Sequence, residues 1–229
     1  MQTKHLKTRS LATLLIAGVL SLALVAGAGG AIYVYKNNFG SKQKYNDIRK
    51  AGGGSKCKKA YRAKSKSMRV SLSGKTHCVF RPPVVGDSSQ PNHVVFAKGK
   101  VLHKRTPKSL RKHAYLAVRV RIGNGDAYEL MVRPGDKVFR LVRQKDDAGL
   151  TQRGTSSKIR PPKEPNALRL EAKGGRISAF VNGAEVASFA DPNHEQIAGR
   201  RVSFGLGSRK NGERRTVGAF NMVRVGLAN

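Results

Sequence analysis

Residues 168–186 alternate apolar and polar side chains with a period of two, and two-residue turns interrupt the alternation. The turns, Gly174-Gly175 and Asn182-Gly183, contain residues that accept the positive φ angles of tight hairpins. Pairing the chain about the first turn sets Leu168 opposite Val181, Leu170 opposite Ala179 and Ala172 opposite Ile177. All six apolar side chains then share one face, which a slip of one residue would expose to solvent. The pattern predicts an antiparallel β-meander that continues to Val186.

A second hairpin is predicted around Gly123-Asn-Gly125. With Arg119 set opposite Glu129, the apolar partners are Val120 with Tyr128, Val118 with Leu130 and Leu116 with Val132. We expect Leu116, Val118, Val120 and Ile122 to form one buried row. Strand-like runs recur about every ten residues, which is typical of an all-β sandwich.

Four short motifs carry a resemblance to a known family. They are Asn166-Ala-Leu-Arg-Leu, Arg176-Ile-Ser-Ala-Phe-Val-Asn-Gly, Arg201-Val-Ser-Phe-Gly-Leu-Gly and Ala219-Phe-Asn-Met-Val-Arg-Val. Residues 92–229 resemble the concanavalin A-like (laminin G-type) lectin and glucanase β-sandwich family. The resemblance implies an antiparallel concanavalin-like β-sandwich, or jelly roll, and members of that family often bind glycans. The sequence has no tryptophan to serve as a sugar platform and no run of closely spaced carboxylates. Both differences weaken the transfer of a family activity to this chain.

The N-terminal part of the chain predicts a membrane or export segment. Residues 11–35 contain no charged side chain and, as an α-helix, are long enough to cross a hydrocarbon core of about 30 Å. Lys4, Lys7 and Arg9 precede this run, and Ala26-Gly-Ala28 suits cleavage by a signal peptidase. Either a transmembrane anchor or a cleaved signal fits the run. We favour the anchor because apolar residues continue beyond the cleavage position to Tyr35.

In this interpretation residues 1–10 are a cytoplasmic tip and the sandwich is extracytoplasmic. The cations after the apolar run (Lys36, Lys42, Lys44, Arg49 and Lys50) outnumber those before it, which opposes that orientation under the positive-inside rule. Long domains that follow an N-terminal signal translocate largely regardless of charge. We therefore expect a membrane-anchored sandwich outside the cytoplasm, or a secreted one if the signal is cleaved.

The two cysteines, Cys57 and Cys78, both follow the apolar run. An exported pair usually forms a disulfide, and closing this loop would restrict the unfolded chain by roughly 3 kcal/mol. Free thiols are one alternative. A metal site that includes His77 is another, although the paired ligand spacing of a zinc site is missing.

Residues 36–91 are predicted to be a basic connector with a short disulfide-held hairpin. The run is rich in Lys and Arg and is broken by Ala51-Gly-Gly-Gly-Ser55, so it buries little apolar surface in this interpretation. The whole chain has 45 Lys and Arg against 13 Asp and Glu, a net charge of +32, and its partner is therefore expected to be anionic. The connector cations expected to contact a polyanion are Lys56, Lys58, Lys59, Arg62, Lys64 and Lys66.

Catalytic and metal chemistry have few candidates. Glu129 is the sharpest candidate for a general acid or base, but Arg119 beside it is expected to lower its pKa, and a cross-strand ion pair is the favoured interpretation. Asp191-Pro-Asn-His194 could contribute to a calcium loop, but it supplies few oxygen ligands. We predict no catalytic residue beyond this candidate, no metal centre and no obligatory cofactor.

The predicted binding surface is a polar row on the strands around residues 115–143. Arginine forks match carboxylates and phosphates, although such a row can also be a solvated outer face. The predicted binding residues are Tyr115, Arg119, Arg121, Arg133, Arg140 and Arg143.

These features together predict a non-catalytic binding module for glycans or anionic envelope polymers. One alternative is a glycoside-processing hydrolase or lyase of the same fold. A second is a nucleic-acid-binding protein in the cytoplasm, which the high positive charge and the reversed flanking charges would suit.

Overall fold

The computed structural model describes residues 32–83, 92–123, 126–144, 150–197, 199–211 and 215–228. These residues form two antiparallel β-sheets packed face to face, together with two short α-helices and four single-turn 3-10 helices. The sandwich predicted from the sequence is confirmed. The α-helices are α1 (Lys42–Asn46) and α2 (Lys108–Arg111).

Fifteen strands build the two sheets. In chain order they are β1 (Ile32–Asn37), β2 (Arg49–Gly52), β3 (Cys57–Arg62), β4 (Ser67–Ser73), β5 (His77–Arg81), β6 (His93–Val101), β7 (Ala114–Gly123), β8 (Asp126–Arg133), β9 (Val138–Gln144), β10 (Thr151–Thr155), β11 (Asn166–Lys173), β12 (Arg176–Val181), β13 (Ala184–Ala190), β14 (Arg201–Ser208) and β15 (Arg215–Leu227).

Each sheet mixes strands from distant parts of the chain. Sheet A has the order β13-β12-β11-β6-β15-β4-β3, and β1 also pairs with β15. Sheet B has the order β10-β9-β8-β7-β14-β5-β2. Inward apolar rows from both sheets form one continuous core that includes Leu116, Leu130, Leu170 and Phe204.

Both hairpin registers predicted from the sequence are confirmed. Leu168 pairs with Val181, Leu170 with Ala179 and Ala172 with Ile177. In the second hairpin Arg119 pairs with Glu129 and Leu116 with Val132. Asn182 and Gly183 both have positive φ, as a type I′ turn requires.

The predicted membrane helix over residues 11–35 is wrong at its C-terminal end. Residues 32–37 form β1, and its backbone pairs with residues 223–227 of β15. A run of apolar and aromatic residues satisfies its polar backbone equally well in a sheet, and here β15 offers the free edge beyond β4. The rest of the apolar run, residues 11–31, lies outside the described residues. Within the described ranges no helix is long and apolar enough to cross a membrane.

The segment predicted as a connector is folded into the sandwich. Residues 49–81 supply β2 and β5 to sheet B and β3 and β4 to sheet A. Met68, Val70 and Leu72 on β4 are completely or almost completely buried, so the high local charge is confined to outward positions. The sandwich therefore begins before residue 92, the boundary that the sequence suggested.

The disulfide between Cys57 and Cys78 is confirmed, with 5.6 Å between the two Cα atoms. Cys57 begins β3 in sheet A, whereas Cys78 lies on β5 in sheet B. The bond therefore joins the two sheets rather than the two strands of one hairpin. Both half-cystines are buried. Because both sulfur atoms are in the disulfide, the structure contradicts the free-thiol and metal alternatives for this pair.

The buried row predicted on β7 is wrong for its last residue, Ile122. The register shifts between Val120 and Gly123, and Arg121 adopts a positive φ of 52°. This β-bulge turns the Arg121 side chain inward, where it is 1% exposed, and leaves Ile122 only partly buried.

Candidate functional site

The candidate site lies on the outer face of sheet B, the face turned away from the core. Alternation along the central strands places Tyr115 and Arg119 of β7, and Glu129 and Met131 of β8, on this face. Cross-strand pairing then brings Arg140 of β9 beside Met131. The consecutive strands β7, β8 and β9 therefore form the centre of the site.

Two glycines of β14 leave room for the rings of Tyr115 and His77 on this face. A Cβ atom added to Gly207 would lie 2.0 Å from Cζ of Tyr115, and one added to Gly205 would lie 2.7 Å from Nε2 of His77. The two rings contact each other with 5.4 Å between their centroids. In the Gly-Leu-Gly motif, the two glycines make room for the rings on the outer face of sheet B. Leu206, between them, points into the core.

Glu129 lies at the centre of the face and is 1% exposed. Its Oε1 accepts a hydrogen bond from Arg119 Nε at 2.9 Å, and its Oε2 accepts one from Gln144 Nε2 at 2.6 Å. Arg119 also donates from Nη2 to His77 Nδ1 at 3.0 Å. The proton of the neutral imidazole is therefore on Nε2.

Burial controls the protonation of this cluster. It raises the pKa of Glu129, against the opposing effect of Arg119, so the lowered pKa expected from the sequence is wrong. Burial, aided by the charge of Arg119, lowers the pKa of His77 to about 3. Burial also raises the pKa of Tyr115 to about 12. At neutral pH the imidazole and the phenol are therefore uncharged.

An arginine-lined cleft of about 200 Å³ opens beside this cluster. We call it the arginine cleft, and its lining residues are Tyr115, Met131, Arg133, Val138, Phe139, Arg140, Thr151, Arg153 and Arg209. Arg133 is paired with Asp136 at 2.8 Å. In the described ranges, Arg140, Arg153 and Arg209 have no acidic side chain within ion-pair distance. Among the described residues the cleft therefore combines apolar atoms of Tyr115 and Met131 with three arginines that form no ion pair.

Three of the six predicted binding residues line the arginine cleft, namely Tyr115, Arg133 and Arg140. Arg119 lies beside the cleft, but its guanidinium group is hydrogen-bonded to Glu129 and His77. Sequence reasoning missed Arg153 and Arg209. Arg153 lies on the edge strand β10, whose residues show no apolar alternation, and Arg209 follows the Gly-Leu-Gly strand in a turn. That Arg153 lies beside Arg140 is evident only from the pairing of β10 with β9.

The remaining two, Arg121 and Arg143, are wrongly placed by the sequence analysis. Both point inward at one end of the sandwich and are 1% and 8% exposed. Arg143 Nη1 donates to Asp191 Oδ1 at 3.2 Å, and Arg121 Nη2 donates to the Gly174 carbonyl at 2.7 Å. These side chains tie the sheets together and do not face the cleft.

Asp191 is committed to the same buried cluster. Its Oδ2 accepts a hydrogen bond of 2.6 Å from the Tyr128 hydroxyl, and its Oδ1 also accepts one from the Asn193 backbone. The calcium loop considered at Asp191-Pro-Asn-His194 therefore lacks a free carboxylate. Over the described ranges no group of three or more His, Cys, Asp or Glu side chains is arranged to hold a metal ion.

The cations predicted to contact a polyanion lie along one edge of sheet A. Lys59 is the exception, because its Nζ donates to the Ile48 carbonyl and lies 4.4 Å from the centroid of the Tyr45 ring. The other members of the set are exposed on β3 and on the short turns that flank it: Lys56, Lys58, Arg62, Lys64 and Lys66.

Comparison with known proteins identifies the fold. No protein-family model matches the chain, and no curated protein matches it. A carbohydrate-binding module, CBM66 from Bacillus subtilis, covers 79% of this chain and 95% of its own at 12% identity, with a TM-score of 0.53. A Bacillus subtilis protein of unknown function with a galectin-like fold covers 88% and 98% at 14% identity, with a TM-score of 0.61.

Enzymes share the same architecture. The β-glucanase of Bacillus licheniformis covers 86% of this chain and 98% of its own at 12% identity, with a TM-score of 0.57. The chain therefore has the concanavalin A-like lectin and glucanase fold that the resemblance implied. Because this fold carries both binding modules and hydrolases, it does not by itself assign a function.

Proposed function

We propose that this protein is a non-catalytic glycan-binding module and that the arginine cleft holds an acidic unit of the glycan. The proposal rests on three arginines that lie together beside Tyr115: Arg140, Arg153 and Arg209. None of the three forms an ion pair with another described residue. Arginine forks match carboxylate groups bidentately. Tyr115, which is 9% exposed, and Met131 both line the cleft and offer a small apolar surface for a sugar ring. Structural neighbours that include a carbohydrate-binding module support this proposal.

The volume of the cleft limits how much of a glycan it can hold. A volume of about 200 Å³ is below the roughly 300–1,000 Å³ typical of pockets for drug-sized ligands. We therefore propose that the cleft holds one charged residue of a longer chain, while the neighbouring units extend over the outer face of sheet B.

The test uses a glycan array followed by calorimetry with uronate-containing oligosaccharides. The double variant R140E/R153E reverses two charges in the cleft, and K42E/K173E makes the same change in net charge at exposed positions outside it. We expect the cleft variant to lose at least about tenfold in affinity, or 1.4 kcal/mol, and the control to bind nearly as the unaltered protein. Absence of any glycan binding, or equal losses in both variants, would remove the proposal.

Burial of Glu129 supports a second candidate function, a glycoside hydrolase. A raised pKa is the property that a glycosidic general acid needs, and Glu129 has it. However, glycosidases generally use two carboxyl groups, and Glu129 is surrounded by Arg119, His77 and Gln144. We therefore favour binding. If turnover of a glucan or acidic oligosaccharide is found and the Glu129→Gln variant abolishes it, the hydrolase is correct.

We also propose that the sandwich works outside the cytoplasm, led or anchored there by the apolar run that precedes β1. The buried disulfide supports this location, because disulfides persist in oxidising compartments. Protease added to intact cells should digest the sandwich. Protection of the sandwich until the cells are lysed would contradict the proposed location.

A further inference from the structure

A second basic cavity lies on the opposite side of the molecule, on the outer face of sheet A. We call it the basic groove; it has a volume of about 560 Å³, in the range of ordinary ligand sites. Five cationic side chains line it, and none of the thirteen residues that line it is acidic. The five cations are Arg69, Lys100, Lys104, Arg105 and Lys163.

Strand register explains the shape of the groove. On its floor Ala219 of β15 pairs with Arg69 of β4 on one side and with Lys100 of β6 on the other. Adjacent strands are about 4.8 Å apart, so the two cationic strands are separated by roughly 10 Å. The small Ala219 side chain leaves the space between them open. The result is a channel with a neutral floor and positive walls.

The loop that carries Lys104 and Arg105 is held firmly on β15. The backbone N–H of Leu102 donates to the Val217 carbonyl at 2.7 Å. The Thr106 hydroxyl donates to the same carbonyl at 3.1 Å and accepts from the Val217 N–H at 3.0 Å. Arg111 Nε donates to the Thr106 carbonyl at 2.8 Å. This anchoring holds two cations at the rim before any ligand binds, which reduces the entropic cost of binding.

The positive charges in the groove are crowded, and no residue that lines the groove is acidic. Burial lowers the pKa of Arg69, and the charges of Arg62 and Arg105 lower it further. The Arg69 Nε atom is inaccessible to solvent and has no hydrogen-bond partner. An anionic ligand would relieve this repulsion. Arg62, which pairs with Ser67 at the groove wall, extends the positive surface towards Lys64 and Lys66.

The chemistry of the lining favours a phosphate chain over a sugar ring. None of the residues that line the groove is Phe, Tyr or Trp, the side chains on which a sugar ring usually stacks. Its polar groups are ammonium and guanidinium ions, the hydroxyls of Ser65 and Ser67, His103 and Asn221, and Arg and Lys are the usual phosphate binders. Dense positive charge is best matched by an equally dense run of negative charge.

We propose that the basic groove binds a linear phosphate polymer, and that it does so independently of glycan binding on sheet B. Lys100 and Arg69 would contact the chain from the two walls, and Lys104, Arg105 and Lys163 would contact it at the rim. Such a protein could join two different polymers through its two opposite faces. Neither the proposed function nor its test involves these residues.

The experiment measures binding of a short linear inorganic polyphosphate to the full chain by calorimetry at several salt concentrations. The groove variant is K104E/K163E, because both lysines are exposed and both line the groove. The control is again K42E/K173E, which carries the same net charge. Thermal unfolding of each variant verifies the fold.

At about 0.15 M salt we expect the groove variant to lose at least about tenfold in affinity and the control to lose about threefold or less. The slope of log affinity against log salt should become shallower by about 1.4 in the groove variant, since each lost phosphate contact contributes about 0.7 for a single-stranded polyanion. Equal losses in the two variants would overturn the proposal, because the effect would then come from net charge alone.

Two further probes test the assignment to phosphate. A sulfated polysaccharide and a single-stranded oligonucleotide are compared with polyphosphate at equal charge. Tighter, groove-dependent binding of either would overturn the assignment in favour of that polymer. Unchanged binding of uronate oligosaccharide by K104E/K163E is expected, and its loss would contradict the independence of the two faces. This measurement with uronate oligosaccharide also distinguishes an error in the proposal for the basic groove from an error in the proposal for the arginine cleft.

Discussion

Arg119 and Glu129 face each other across β7 and β8, and the arginine Nε lies 2.9 Å from the glutamate Oε1 on the outer face of sheet B. The pair is buried on the glutamate side and partly open on the arginine side. It fixes the position of His77 through a further hydrogen bond. The pair thus forms a rigid, largely neutralised border beside the arginine cleft, where the positive charges are not neutralised in the same way.

The contact between Gly207 and Tyr115 predicts a specific steric effect. A Gly207→Ala substitution should displace the Tyr115 ring and destabilise the protein by about 1–3 kcal/mol, as overpacking usually does. In a Tyr115→Ala background the same substitution should cost almost nothing, because the clashing ring is absent. Urea unfolding of the four proteins in this cycle measures the coupling. Identical costs in the two backgrounds would show that the ring does not lie over Gly207.

His77 predicts an acid-dependent loss of stability. Its pKa is about 3 in the folded protein and near 6.5 in the unfolded chain, so only the unfolded chain takes up this proton between those pH values. The free energy of unfolding therefore falls as pH decreases through this window, by up to about 1.4 kcal/mol per pH unit. A His77→Gln variant should show a shallower decrease in denaturant unfolding between pH 6.5 and pH 3. Parallel curves for the two proteins would contradict the lowered pKa.

Breaking the buried ion pair between Arg143 and Asp191 is expected to lower the free energy of unfolding more than breaking an exposed pair. The Asp191→Ala variant should lose about 3–5 kcal/mol because the arginine charge is left buried without its partner. Asp136→Ala, which removes the partner of Arg133 near the surface, should cost about 0–1 kcal/mol. Guanidinium unfolding of both variants makes the comparison. A cost for Asp191→Ala as small as that for Asp136→Ala would refute the structural role assigned to the inner cluster.

The disulfide should stabilise the whole sandwich because it joins the two sheets. Replacing Cys57 and Cys78 together by serine should lower the free energy of unfolding by roughly 3 kcal/mol. Adding reductant to the unaltered protein should give a similar loss, whereas the double-serine variant should not respond to reductant. Reductant-sensitive unfolding of the variant would mean that the cysteines are not the cause.

The sequence predicts the C-terminal hairpins well because their information is local. Gly174-Gly175 and Asn182-Gly183 determine where the chain turns, and the period of two then determines which faces are buried. The same reasoning fails for residues 32–83, whose high charge hides short inward rows such as Met68, Val70 and Leu72. Strands β1 and β4 pair with β15, and β5 pairs with β14. These partners lie more than a hundred residues later, and no local pattern records such pairings.

The candidate site shows the same limit. Tyr115, Arg133 and Arg140 could be assigned to one face by alternation, but the β-bulge at Arg121 moves that arginine to the other side of the sheet. Arg143 fails for a related reason, because its position opposite Tyr128 makes it an inward residue. Arg153 was missed because an exposed edge strand needs no apolar alternation.

The most direct measurement of the central claim is the perturbation of backbone amide chemical shifts in the full chain when a uronate oligosaccharide is added. If the arginine cleft binds the glycan, the largest changes should cluster at Tyr115, Met131, Arg140 and Arg153 on sheet B. Changes confined to sheet A, or none at saturating oligosaccharide, would contradict the claim.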